Sequence, residues 1–178
     1  MNHFVKITAL LSFVLITASS QCTYAQETTF SNDFARNSVF LELGGNGLLY
    51  SLNYDHKFFD HASARIGAMF ISVSANDPTT VDGRVSVFLL PLMANYLVGD
   101  GNSRLELGGG LLVGGVNADA TIDNEAIDDV AGGAAFTANV GYRLQPRDGG
   151  FLFRIGFTPV ISSAGFLPWA GISFGATF

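Results

Sequence analysis

The sequence predicts an all-β fold, an antiparallel up-and-down barrel of about eight strands that crosses a bacterial outer membrane. Apolar residues alternate with small or polar ones along segments of about ten residues, as in strands with one face toward lipid and one toward a lumen. Only 13% of the residues are charged, whereas 48% are hydrophobic, so a soluble globule would lack the charges that normally cover its surface. After residue 25 no apolar run reaches the ~18 residues of a spanning helix, which leaves strands to cross the bilayer.

The first 25 residues are predicted to be a signal peptide that is removed during export. The apolar run over residues 7–18 is too short to span a bilayer, and Ala25 provides a small residue at the cleavage point. A lipoprotein site at Cys22 is the alternative, but Gln21 stands where a small residue is expected. The rest of the chain divides into a periplasmic tail over residues 26–37 and one barrel domain over residues 38–178.

Turn residues divide the barrel domain into eight segments, and an even number of strands places both chain ends on the periplasmic side. Short periplasmic turns are expected at residues 59–62, 99–102 and 146–149, and longer outside loops at 75–83 and 117–132. The predicted strands span residues 38–45, 48–58, 63–74, 84–97, 103–116, 133–145, 150–161 and 167–178.

The first two strands are predicted to form a hairpin with Asn46–Gly47 at its turn, a common two-residue hairpin sequence. This register sets Leu43 opposite Tyr50 on one face and Glu42 opposite Ser51 on the other. A slip of one residue would mix the two faces, so the agreement supports the turn. The alternative is one long strand over residues 38–58 with a glycine bulge, which would leave seven strands.

The fourth strand is apolar on both faces, and its neighbour is needed to orient it. A turn at Asp100–Gly101 pairs Tyr96 with Leu105 and Asn95 with Glu106. Tyr96 is therefore expected to face lipid and Asn95 to face the lumen. The predicted lipid-facing residues of this strand are Phe88, Leu90, Leu92, Ala94 and Tyr96, and the predicted lumen-facing residues are Val87, Leu89, Pro91, Met93 and Asn95.

The last three strands show the clearest two-residue repeat. The pattern places Phe174 outward and Ser173 inward in the last strand. In the two strands before it, Phe153 is outward while Arg154 and Arg143 are inward. A soluble lipocalin-like barrel is the rival fold, and it would need polar residues at the outward positions that Phe153 and Phe174 occupy.

The lumen is predicted to be charged in its periplasmic half and apolar above it. An isolated buried charge is strongly unfavourable, so we expect Glu106 to pair with Arg143 and Asp55 with Arg65 in a network that plugs the lower barrel. A proton or ion path through these charges is the alternative. The predicted network comprises Glu42, Asp55, Arg65, Arg104, Glu106, Arg143 and Arg154. The predicted apolar half comprises Leu49, Met69, Ile71, Val73, Val87, Leu89 and Leu112.

With eight amphipathic strands, internal charged pairs and a terminal strand ending in phenylalanine, residues 38–178 resemble the small outer-membrane barrels of the OmpA transmembrane-domain and OmpX type. The resemblance implies recognition by the barrel assembly machinery through the terminal strand, with Phe178 and Phe174 as its assembly signal. Ala176 departs from the pattern, because that position is often aromatic. The resemblance implies no enzymatic activity.

The sequence offers no arrangement that predicts catalysis. A hydrolase or acyltransferase of this membrane would need a nucleophile beside a general base near the outer rim. His3 lies in the signal peptide, while His56 and His61 fall at the periplasmic edge. We therefore expect a protein that is not an enzyme and holds no cofactor or metal. The net charge of -6 also argues against nucleic-acid binding.

An acidic segment lies within the longest predicted outside loop. Its carboxylates belong to Asp119, Asp123, Glu125, Asp128 and Asp129. Their spacing does not match the calcium loop of an EF-hand, so we interpret the segment as a solvated loop. Calcium binding, or divalent ions that bridge the loop to lipopolysaccharide, is the alternative.

Two functions are compatible with these features. The first is a non-catalytic surface barrel that contributes to envelope integrity or presents loops to a partner. The second is a carrier or minor channel whose apolar upper lumen accepts a small hydrophobic molecule. Because eight strands leave little bore, we favour the first. The expected partners are outer-membrane lipid, lipopolysaccharide and the assembly machinery, and the protein is expected to be a monomer.

Overall fold

The computed structural model describes residues 35–76, 81–122 and 125–178 of the chain. The predicted signal peptide and most of the predicted tail lie outside the described residues. The strands are β1 (Asn37–Gly44), β2 (Tyr50–Phe59), β3 (Ala62–Asn76), β4 (Val81–Val98), β5 (Ser103–Ile122), β6 (Glu125–Leu144), β7 (Gly150–Phe157), β8 (Val160–Ser162), β9 (Gly165–Leu167) and β10 (Ala170–Thr177). Across these described ranges, no helix has the length and apolar character that a membrane span requires.

The strands form a closed antiparallel barrel. From β1 to β7 each strand pairs with the next one along the chain, β8 pairs with β6 and β9, and β10 closes the ring by pairing with both β1 and β7. Pro159 separates β7 from β8, and Pro168 separates β9 from β10; a proline cannot donate a backbone hydrogen bond to a ladder. The register is the same on both sides of these prolines, as Phe157 pairs with Ala170 and Val160 with Leu167. Counted as continuous strands, β7–β8 and β9–β10 give a barrel of eight strands, so the predicted fold is confirmed.

Side chains alternate between a polar interior and an apolar exterior. Along β2, Ser51, Asn53 and Asp55 are buried while the intervening Leu52 and Tyr54 are 60% and 42% exposed. Phe174 and Phe151 are also exposed on the outer face. This is the arrangement of a barrel surrounded by lipid. A soluble lipocalin-like barrel would require polar residues at these outward positions, so the observed phenylalanines argue against it.

The four central strands are longer than the others. We call β3–β6 the tall wall and β1, β2 and β7–β10 the low wall. Asn37 and Thr177 mark the terminal end of the barrel, and the last pair of β5 and β6, Ile122 with Glu125, marks the opposite, hairpin end. Pairing between β5 and β6 runs from Ser103 opposite Leu144 to Ile122 opposite Glu125. The prediction of an outside loop over residues 117–132 is therefore wrong, because antiparallel pairing between β5 and β6 continues through most of these residues.

The first hairpin has the predicted register but a different turn. Leu43 pairs with Tyr50 and Glu42 with Ser51, so the alternative of one long strand is excluded. The connection is a 3₁₀ turn over Gly45–Gly47 rather than a two-residue turn. Gly45 has φ 65°, and a Cβ atom at this position would collide with the side chain of Glu42. Glycine is needed here because the turn enters the lumen instead of projecting outward.

The hairpin between β4 and β5 corrects another prediction. Tyr96 pairs with Leu107 and Leu97 with Glu106, so the register differs by two residues from the predicted pairing of Tyr96 with Leu105. The reason is that β4 continues to Val98 and the turn centres on Gly101 and Asn102. A shift of two residues keeps every side chain on its face. Asn95 is accordingly buried and Tyr96 exposed, as predicted.

Candidate functional site in the barrel lumen

Inward-facing positions on six strands bring a group of charged side chains together inside the barrel. Their side chains are at most 5% exposed. The group contains three carboxylates and three guanidinium groups, so its formal charges cancel. We call it the lumen network, and its members are Glu42, Asp55, Arg65, Glu106, Arg143 and Arg154.

The charges of the lumen network alternate in sign along a continuous path. Arg143 lies 2.7 Å from Asp55 and 3.5 Å from Glu106. Glu106 accepts two hydrogen bonds from Arg154, at 2.7 and 2.9 Å, in a bidentate pair of the kind that gives strong charge-assisted bonds. Every charge of the lumen network therefore has an opposite neighbour, which offsets the cost of removing it from water.

Glu42 completes the path at the hairpin side of the lumen network. Its carboxylate lies 3.0 Å from Arg65 and 3.8 Å from Arg154. The ring of Phe40 lies beneath both guanidinium groups, 4.7 Å from that of Arg154 and 5.9 Å from that of Arg65. An aromatic face at this distance attracts a cation. Ser51 also donates a hydrogen bond to Glu42 at 3.2 Å.

The 3₁₀ turn covers the lumen network. Asn46 at its tip is fully buried, and its amide donates hydrogen bonds to the hydroxyl of Thr137 at 2.6 Å and to the carbonyl of Ala138 at 3.2 Å. Arg65 donates a hydrogen bond to the side-chain oxygen of Asn46. The turn thus ties the first hairpin to β6 across the lumen. The sequence does not predict this inward turn, because Asn46–Gly47 is also typical of an ordinary exposed hairpin. The three glycines around Asn46 are the one feature of the sequence that indicates a more tightly packed turn.

Six of the seven predicted network residues meet, and Arg104 does not join them. Its guanidinium donates hydrogen bonds to the carbonyl oxygens of Gly101 and Asp60 at the rim of the terminal end. Arg104 stands beside Arg143 in the β5–β6 register. It is the first inward residue of β5, so turn carbonyls lie within its reach and the carboxylates lie deeper.

The ion pairs differ from those predicted. Glu106 and Arg143 are paired, but Arg154 is the nearer partner of Glu106. The predicted pair of Asp55 and Arg65 is wrong, although the two residues are neighbours in the β2–β3 register. Arg65 instead extends toward the hairpin end to reach Glu42, and Arg143 reaches Asp55 from β6, which stands opposite β2 in the ring.

The space around the lumen network is almost filled. A cavity lined by Glu42, Glu106, Arg154 and neighbouring residues has a volume of about 10 Å³, which is at the lower limit for one water molecule. The lumen is therefore closed at this level. Above it, Met69 and Leu112 are buried, whereas Val73 is 62% exposed toward the hairpin end, so the predicted change from a charged to an apolar lumen is present.

The histidines lie near the terminal end. His56 has a ring nitrogen 2.8 Å from the side-chain oxygen of Asn37, and His61 has one 2.9 Å from the carbonyl oxygen of Leu97. Within the described residues, no three His, Cys, Asp or Glu side chains converge on a possible metal position. Of the acidic segment, Asp119 and Asp129 are exposed, and Asp123 lies outside the described residues.

The predicted assembly signal lies on the outer face of the closing strand. Phe174 is exposed and its ring centre lies 5.5 Å from that of Phe153 on β7. Phe178 is 63% exposed, and its backbone exchanges hydrogen bonds with Asn37. Both phenylalanines can be reached from outside the barrel.

The fold is similar to that of small outer-membrane barrels. Ail, the attachment invasion locus protein of Yersinia pestis, aligns with a TM-score of 0.57 at 12% sequence identity, covering 82% of this chain and 99% of Ail. The N-terminal β-barrel domain of Pseudomonas aeruginosa OprF aligns with a TM-score of 0.50 at 16% identity, covering 80% of this chain and 96% of that domain. No protein-family model and no curated protein matches the chain. The resemblance to small eight-stranded outer-membrane barrels is thus confirmed for the fold.

Proposed function

We propose that the protein is a non-catalytic barrel of the outer membrane that contributes to envelope integrity and presents its long hairpins at the cell surface. The observation that supports this proposal best is the lumen network, because it closes the barrel to passage. A barrel closed at this level would act through its outer face, its projecting parts or the open region above the network, and not by passage through its lumen. The closed network also makes the proposed ion path the weaker interpretation.

The long hairpins of the tall wall are the parts most suited to this role. On the outer face of the barrel, the apolar row formed by Phe70 and Phe88 is followed, two residues farther along each strand, by Ser72 and Ser86. Asn117 continues this polar row on β5. The change from apolar to polar side chains indicates where the tall wall leaves the hydrocarbon. The hairpins beyond it would meet lipopolysaccharide or a partner.

Three measurements test the proposal. The mature protein should fractionate with outer membranes and migrate faster in gels before boiling than after it. An epitope inserted between residues 122 and 125 should be accessible on intact cells, and the purified barrel should not conduct ions in planar bilayers. Recovery from the periplasm would refute the location, and a steady conductance would refute the closed lumen.

Envelope integrity requires a separate test. Cells that lack the protein should be more sensitive to large hydrophobic antibiotics, and the full chain should restore resistance. A variant lacking residues 118–129 is the matched control, because the barrel below this hairpin retains its pairing. Full restoration by the shortened chain would show that the hairpin is dispensable for this function.

A carrier of small hydrophobic molecules is the second candidate function. It is supported by the apolar lumen above Asn46, where Met69 and Leu112 are buried. A molecule held there could not continue past the lumen network. This region would therefore serve for binding rather than for passage.

A further inference from the structure

A second, larger pocket, which is widely open to its surroundings, lies above the lumen network on one side of the barrel. Its volume is about 600 Å³, within the ~300–1,000 Å³ range of small-molecule sites. It is lined by Leu89 of β4, Leu112 and residues 114–116 of β5, residues 131–135 of β6 and the turn at 162–164. These residues carry no charge, and the hydroxyl groups of Ser162 and Ser163 are the only polar side-chain groups among them. We call this cavity the lateral pocket.

The lateral pocket has an opening through the barrel wall. The last pairing between β6 and β8 joins Phe136 with Ile161. Beyond Phe136, the described part of β6 pairs only with β5, because the β8–β9 hairpin turns back at Ser162 and Gly165. The difference in height between the two walls therefore leaves a gap beside β6 through which the lumen meets the outside.

The gap lies within the apolar belt of the outer surface. Phe136 and Ile161 at its lower edge are 69% and 51% exposed, and Phe166 beside the turn is 62% exposed. Beyond Phe136, the outward positions of β6 are occupied by Ala134, Gly132 and Val130, all of them apolar or small, and Val130 is 75% exposed. The gap therefore opens toward hydrocarbon rather than toward water.

We propose that the lateral pocket binds one acyl chain of an outer-leaflet lipid, which enters sideways between β6 and the β8–β9 turn. The apolar lining suits the chain, and the serine hydroxyls at the mouth suit the polar group to which the chain is attached. Continuity with the lipid-facing belt favours a membrane lipid over a ligand from solution. The proposal rests on the outer-membrane location proposed above, but not on any partner of the hairpins.

Gly133 provides a way to fill the lateral pocket. It is one of the inward-facing residues of β6, and a Cβ atom added to it would have no atom within 4 Å. Gly133→Leu should therefore occupy the pocket without displacing backbone. Gly109→Leu is the matched control, because Gly109 is equally open but lies on the outer face among the residues of a different surface groove.

The test uses the full barrel in vesicles of phosphatidylethanolamine and phosphatidylglycerol that contain a phospholipid with a diazirine near the end of one acyl chain. After irradiation, mass spectrometry of peptides should find lipid adducts at the inward-facing Leu89 and Leu112 as well as at Phe136. The inward adducts should fall at least fivefold in Gly133→Leu and stay unchanged in Gly109→Leu. A gel shift on heating shows that each variant is folded and inserted, which tests membrane insertion separately from lipid binding.

Three outcomes would overturn the proposal. Adducts confined to outward residues in the unaltered protein would show that no chain enters, whether or not Gly133→Leu folds. Equal inward labelling in both variants would place the chain elsewhere in the lumen. Inward labelling by a free diazirine fatty acid added from water, without labelling by the vesicle phospholipid, would indicate entry from the hairpin end.

Discussion

Removing Glu106 and Arg154 separately and together should give strongly non-additive losses of stability. Each single change to leucine leaves the lumen network with an unbalanced buried charge, which costs ~3–5 kcal/mol when a buried pair is broken. Simple addition would give a loss of ~6–10 kcal/mol for the double variant. The structure predicts far less, because the double variant retains two separate ion pairs, Asp55 with Arg143 at 2.7 Å and Glu42 with Arg65 at 3.0 Å.

The expected coupling between Glu106 and Arg154 is therefore ~3 kcal/mol or more, at the upper end of values for residues in contact. The assay is equilibrium unfolding in urea of the barrel refolded into lipid vesicles, with the folded fraction read from the gel shift. Arg84→Leu is the control, because Arg84 is exposed near the hairpin end of β4, where it donates a hydrogen bond to Ser74, far from Glu106. The loss of stability in this control should add to the loss in Glu106→Leu within ~0.5 kcal/mol. Additive losses for Glu106 and Arg154 would refute the pairing described here.

Three further predictions concern the outer face and the turn in the lumen. Phe174→Arg should cost ~2–4 kcal/mol in the same unfolding assay, whereas Val98→Arg at the end of β4 should cost ~0–1 kcal/mol; similar losses would contradict the assigned depths. Gly150→Ala should cost ~1–3 kcal/mol from its positive φ alone, and Gly45→Ala should lower the urea midpoint further because steric overlap with Glu42 is added. Asn46→Ala should cost ~1–3 kcal/mol by leaving buried partners unsatisfied, and an unchanged midpoint would mean that the turn does not hold the network closed.

The sequence predicts the faces of the strands better than it predicts their contacts. A two-residue repeat determines which side chains point inward, so Glu106, Arg143 and Arg154 were correctly placed in the lumen. Their pairing depends on the stagger and closure of the barrel, because Arg154 and Glu106 are 48 positions apart in the chain. The local register between neighbouring strands does not determine which side chains meet across the lumen.

Turns and loops were predicted less well for a related reason. Acidic residues and glycines over residues 117–132 are typical of loops, but backbone pairing between β5 and β6 continues through them. At Asn46, the local sequence is compatible with both an exposed hairpin and an inward turn. The choice depends on whether the lumen offers partners for the side chain, and these partners lie on β6, far along the chain.

Pro159 gives the inward turn a specific place on β6. The carbonyl oxygen of Pro159 accepts a hydrogen bond from the backbone N–H of Ala138 at 3.2 Å, but proline has no N–H to return the bond. The carbonyl of Ala138 would lack that ladder partner, and the amide of Asn46 supplies the donor instead. A substitution that restored an N–H at position 159 would give the Ala138 carbonyl, which has two lone pairs, a second donor. The acceptor that the proline leaves without a ladder partner is thus one of the two groups on β6 that hold Asn46 inside the barrel.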